Sequence, residues 1–270
     1  MSHAETNPGA AAPHPYHLVD PSPWPLMGGL SAFVLAWGGV TYFHDHGQKA
    51  GLLAGLALLL LTMALWWRDV VREARDGHSH THAVRHGLRM GMAMFIASEV
   101  MFFVAFFWAF FHSALKVGPM VTQWPPAGIQ TLDTWHIPFI NTLILMSSGV
   151  TLTRAHHALM ASKITPTIRW LAATIVLGVL FLGLQIHEYG EAVFAFTDGV
   201  YPSVFYMATG FHGFHVFVGV CFLSVCLGRT LSGHFTAERH LGFEAAAWYW
   251  HFVDVVWVFL FIWVYWWGNG

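Results

Sequence analysis

The chain has 270 residues, of which 56% are hydrophobic and only 10% charged, with a formal net charge of -2. A soluble domain carries roughly 25% charged residues, so this composition excludes an ordinary water-soluble globule and points to a polytopic membrane protein. With charge near balance and no basic block, nothing suggests a nucleic-acid partner.

The first 20 residues hold Pro8, Pro13 and Pro15 but no apolar core and no Lys or Arg, and are not expected to act as a signal peptide. Seven apolar spans follow, over approximately 24–43, 50–67, 89–113, 136–155, 170–188, 203–228 and 243–267. The expected fold is therefore an all-α integral membrane protein with seven transmembrane helices. Residues 1–80 are expected to form the N-terminal tail and a two-helix hairpin, and residues 81–270 a five-helix bundle. The stretch from His78 to His86 is the expected hinge.

Charge sets the expected orientation. Arg68, Arg72, Arg75, Arg85 and Arg89 flank the second loop, Arg154, Lys163 and Arg169 the fourth, and Arg229 and Arg239 the sixth. Only Lys49 and Lys116 fall on the other side. Basic loops stay on the cytoplasmic face, so the N-terminus is expected in the cytoplasm or matrix. Seven crossings put the C-terminus in the periplasm or intermembrane space.

Several ionisable residues lie inside these spans, where a charge costs at least ~2.5 kcal/mol. Glu99 sits ten residues, about 15 Å, beyond Arg89, hence near mid-membrane. It either fixes packing through a hydrogen bond to a neighbouring helix or couples to a partner subunit. His212 and His215 point about 60° apart and could reach one partner. They read as haem or metal ligands, or as neutral imidazoles donating to carboxylates; the second is expected, with one of them meeting Glu99. Glu244 and His251 point within about 20° of each other and Asp254 about 60° further round, so this side of the last helix should face protein or water. His251 and Asp254 could orient a metal-bound histidine or satisfy each other.

The remaining polar features have plainer readings. His156 and His157 are adjacent and diverge by about 100°. The HSHTH run at His78, His80 and His82 is expected to be a solvated loop. Cys221 and Cys226 diverge by about 140° along one helix and are expected to pack as small apolar residues. No C-x-x-C-H haem attachment, Walker motif or nucleophile elbow is present. The chain is expected to hold no catalytic residue, redox metal or haem of its own.

Long motifs then resemble one family. They are YHLVDPSPWPL (16–26), WWRDVVREA (66–74), GLRMGMAMFIASEVMFFVAFFWAFFH (87–112), WPPAGI (124–129), NTLILMSSGVTLTRAHHALM (141–160), LQIHEY (184–189), DGVYPSVFYMATGFHGFHV (198–216) and FEAAAWYWHFVDVVW (243–257). In order and across nearly the whole chain they resemble subunit III of the cytochrome c oxidases, within the haem–copper oxidases. Pro202 departs from the family's usual small residue there, and His187 is a position expected to vary.

The resemblance implies a V-shaped, lipid-filled cleft between hairpin and bundle. It implies that the haems and copper belong to partners, the catalytic subunit I and the copper-bearing subunit II, and that cytochrome c acts on the complex. It implies that Glu99 reacts with hydrophobic carbodiimides. It implies bound phospholipids, held by Trp66, Arg68, Arg72 and Arg229, since Arg binds phosphate bidentately. The implied role is stabilising the catalytic subunit, supporting proton uptake and admitting dioxygen, in a bacterial plasma membrane or mitochondrial inner membrane. A related quinol oxidase is the nearest alternative. A stand-alone transporter would tend to show internal repeats, and none is seen. A b-type haem protein would use His212, His215 or His251.

Overall fold

A computed structural model describes residues 21–44, 49–75, 80–115 and 123–269. Seven α-helices lie among the described residues: α1 (Trp24–His44), α2 (Lys49–Glu73), α3 (His82–Leu115), α4 (Ile137–Met160), α5 (Ile164–Glu191), α6 (Val200–Leu231) and α7 (Leu241–Leu260). The backbone after α7 continues as a π-helix, Phe261–Trp267. The chain divides into two compact units, Met1–Leu88 and Arg89–Gly270.

Among the described residues, six helices are long and apolar enough to cross a membrane; α4 is not one of them. Seven were expected. At 1.5 Å per residue the 24 residues of α4 reach about 36 Å, beyond the ~30 Å hydrocarbon core. Composition sets it apart: Asn141, Ser148 and Gly149 are buried on it, and Thr142, Thr151 and Thr153 add hydroxyls. The hydroxyls of Thr142, Ser148, Thr151 and Thr153 meet Trp257, Trp250, Thr174 and His251 of neighbouring helices instead of lipid.

The first unit rests on close packing of small residues between α1 and α2. A side chain at Gly38 would run into the backbone of Gly51 and Leu52. Lipid tails are as apolar as Leu, so helices gain little from apolar burial there and depend on such tight contacts and on hydrogen bonds. Ser31 Oγ and Thr62 Oγ1 lie 3.2 Å apart, and Trp24 Nε1 donates to Asp69 Oδ2 at 2.9 Å.

In the second unit α7 is the most buried of the six apolar helices and meets both α4 and α6. Trp250 and Trp257 are fully enclosed, donating to Ser148 Oγ and Thr142 Oγ1, each at 2.9 Å. By contrast α3 meets its neighbours through long side chains, among them Phe103 against Phe252 and Phe107 against Phe259.

Of the expected hinge, residues 82–86 are helical. α3 begins at His82, with Thr81 Oγ1 accepting from the Val84 N–H at 3.3 Å as an N-cap would. His78 lies outside the described residues, as do Lys116 and the first 20 positions.

Candidate functional site

Several ionisable groups of the second unit fall into separate pairs, each joining two helices or two turns. Glu99 on α3 meets His215 on α6, with Glu99 Oε2 at 2.8 Å from His215 Nε2. The other ring nitrogen, Nδ1, lies 2.6 Å from the Phe211 carbonyl one turn back. Side-chain exposure is 22% for Glu99 and 9% for His215. Rings of Phe102, Phe103 and Tyr249 surround the imidazole. His212 does not join the pair. It is fully buried, its Nε2 donates to the Val253 carbonyl at 3.2 Å, and its ring packs on Phe181 and Trp257. Three residues of helical rotation send the two imidazoles to different neighbours, α3 and α7.

Asp254 on α7 is buried and looks onto Gly149 of α4, where a Cβ would collide with its Oδ2. Its ionic neighbour is His251, with Nδ1 3.5 Å from Oδ2. That imidazole has 44% of its side chain exposed, and its Nε2 lies 3.3 Å from Thr153 Oγ1. Glu244, 16% exposed at the start of α7, is gripped by Arg89 of α3, whose Nε and Nη2 donate to it at 3.0 and 2.9 Å. Such a two-pronged guanidinium contact fixes direction as well as distance. Of the six ionisable residues expected in the membrane interior, His212, His215 and Asp254 are buried, while Glu99, Glu244 and His251 keep part of their surface open in the isolated chain.

Sequence reasoning missed a further acid. Glu188 is 1% exposed near the end of α5 and accepts from Tyr265 Oη at 2.7 Å. Tyr265 Oη in turn accepts from Gln185 Nε2 at 3.2 Å. The signal lay in spacing: Thr167, Leu171, Thr174, Gly178, Phe181, Gln185 and Glu188 are buried at alternating steps of four and three. That is the pattern of an inward helix stripe, and Glu188 sits on it.

The residues expected to hold phospholipid lie apart in the chain. Trp66, Arg68 and Arg72 stand exposed at the end of α2 in the first unit, with Arg68 3.2 Å and Arg72 3.6 Å from Asp69. Arg229, in the second unit, is half-buried with its guanidinium 4.3 Å from the Phe235 ring centre. These are cations beside apolar and aromatic surface, the chemistry a phospholipid headgroup requires. His156 packs its ring against His240 and Phe243 at the same end. Among the described residues, no group of three or more His, Cys, Asp or Glu side chains is placed to hold a metal ion.

The family model for cytochrome c oxidase subunit III matches residues 14–269. The chain belongs to that family. It is 55% identical over 260 residues to cytochrome c oxidase subunit 3 of Branchiostoma lanceolatum, covering 95% of this chain and 98% of the relative. Over 262 residues it is 56% identical to the protein of the same name from Arabidopsis thaliana, covering 95% and 97%. With the protein so named from Marchantia polymorpha the identity is 56% over 263 residues, covering 95% and 98%. Family membership and the apolar helices make the chain a multi-pass membrane subunit of an oxidase complex.

Proposed function

We propose that this chain is the non-redox flank of a complex that oxidises cytochrome c, reduces dioxygen to water and moves protons across a bacterial plasma membrane or mitochondrial inner membrane. The haems and copper reside in the partner subunits I and II. The chain stabilises the catalytic subunit, carries phospholipid on its cationic helix ends and keeps proton uptake in working order, with dioxygen entering through the lipid it holds. All seven helices cross the bilayer, α4 included, with the N-terminus in the cytoplasm or matrix. They divide as the tail and hairpin of residues 1–80 and the bundle of residues 81–270.

The observation that carries this reading is the pairing of ionisable side chains on the apolar helices. Glu99 is committed to His215, Glu244 to Arg89 and Asp254 to His251. Glu99–His215 and Glu244–Arg89 each hold two helices in register, while Asp254–His251 joins successive turns of α7. Exposed Trp66, Trp67 and Arg72 at the end of α2 support the lipid role.

The test is turnover of the complex with and without this chain. The initial rate of cytochrome c oxidation is expected to survive its removal, while the number of turnovers before inactivation falls several-fold or proton uptake slows. An unchanged lifetime and unchanged proton uptake would remove the proposed role.

A further inference from the structure

The second unit buries a carboxyl group that its protein neighbours satisfy on one oxygen only. Glu188 Oε1 accepts from Tyr265, but Glu188 Oε2 is enclosed with no hydrogen-bond partner among the described residues. The same holds for Oε1 of Gln185, one turn back on the same stripe. On α4, Asn141 is fully buried with both Nδ2 and Oδ1 unpartnered. These four atoms stand on two neighbouring helices, and interiors pair such groups or bridge them with water.

Helix register brings them to one level. Thr151 Oγ1 of α4 and Thr174 Oγ1 of α5 meet at 2.8 Å, in an antiparallel pair joined by a short turn. From that contact Asn141 lies ten residues back, about 15 Å, and Gln185 eleven residues on, about 16.5 Å. Thr142, next to Asn141, accepts from Trp257, so α7 closes the same region before its π-helical continuation delivers Tyr265.

The hydrogen-bond inventory names the ligand. Asn141 Nδ2 is a donor, Asn141 Oδ1 and Gln185 Oε1 are acceptors, and Glu188 Oε2 accepts when ionised and can donate when protonated. Water both donates and accepts, so ordered water making about three hydrogen bonds per molecule meets donors and acceptors together. The free Asn141 Nδ2 calls for an acceptor, which water supplies and a metal cation does not. We propose that Asn141, Gln185 and Glu188 form an internal hydration site, holding ordered water between α4, α5 and the π-helical end of the chain. The water gives the buried carboxyl a second hydrogen-bonding neighbour besides Tyr265.

A density map of the intact oxidase complex that resolves ordered water tests this, with the Asn141→Leu variant beside the wild type. The wild type is expected to show a compact peak within hydrogen-bond reach of Asn141, Gln185 and Glu188, and N141L to lose it. Direct pairing of the Asn141 and Gln185 amides with no peak between them would overturn the proposal. A peak ringed by oxygens at about 2.4 Å, the spacing of a bound calcium ion, would overturn it too. Should N141L not assemble, the wild-type map alone separates these outcomes.

Discussion

Glu99 Oε2 lies 2.8 Å from Nε2 of His215, bridging α3 and α6. The rest of the ring fixes what this contact means. His215 Nδ1 is 2.6 Å from the Phe211 carbonyl, which only accepts, so Nδ1 carries a hydrogen. A 2.8 Å contact between two acceptors would be repulsive, so a second hydrogen lies between Nε2 and Oε2. Whether it rests on the imidazole or the carboxyl, the pair is neutral overall. A neutral pair is the form that apolar surroundings tolerate.

That logic separates two substitutions. In Glu99→Gln the amide N–H still donates to His215 Nε2, and stability should fall by less than about 1 kcal/mol. Glu99→Ala leaves the imidazole nitrogen without its partner and should cost about 1–3 kcal/mol. The heating midpoint for loss of this chain from the assembled complex reads the difference. Equal midpoints for the two variants would mean the contact holds nothing.

Trp250 should tolerate almost no added volume. A Cβ at Gly178 would stand 2.6 Å from its Cη2, and one at Gly219 2.7 Å from its Cε3. Both contacts involve a fully enclosed ring whose Nε1 is tied to Ser148. Gly219→Ala is expected to cost about 1–3 kcal/mol through overpacking. Trp250→Ala should cost more, about 3–5 kcal/mol, because it leaves a cavity. Denaturant unfolding of the purified chain in micelles measures both, and a neutral G219A would show that the ring can move aside.

Gly149 and Asp254 should behave as one unit. Gly149→Ala drives a methyl group into the carboxylate, while Gly149→Ala with Asp254→Ala removes the object it strikes. The double variant should therefore be more stable than the sum of the single losses, by at least about 0.5 kcal/mol. Strict additivity in a double-mutant cycle would refute the contact.

The Arg89–Glu244 pair is expected to matter less than its geometry suggests. Arg89 keeps 47% of its side chain exposed, so solvent and headgroups screen the charges. Glu244→Gln should cost about 1 kcal/mol or less, and raising salt should shrink that difference. A loss above about 3 kcal/mol would mean that the pair is enclosed in the assembled complex.

Much of the fold was legible because a membrane segment must be long and apolar, and six helices meet that rule. The fourth span was expected from its apolar residues, and α4 forms there as a helix, but its hydroxyls and amide set it apart from the six. The pairing of Glu99 with a helix-six histidine followed from matched depth, but depth could not choose His215 over His212. The choice belongs to helix rotation in the packed bundle. Arg89 and Glu244 are 155 positions apart, and nothing along the chain announces their contact. Glu188 escaped notice because it stands near a helix end, where an acid reads as solvated. The extension of α3 back to His82 was hidden by its polar composition, which reads as a loop until the Thr81 cap is seen.

The central claim is that the ionisable side chains on the apolar helices are held by protein groups and carry no redox centre. Haem and copper content per catalytic subunit, measured before and after this chain is stripped from the complex, tests it most directly. The account predicts the same haem spectrum and the same copper content in both preparations. Loss of a haem or copper ion in step with the chain, and its recovery in the separated polypeptide, would contradict it.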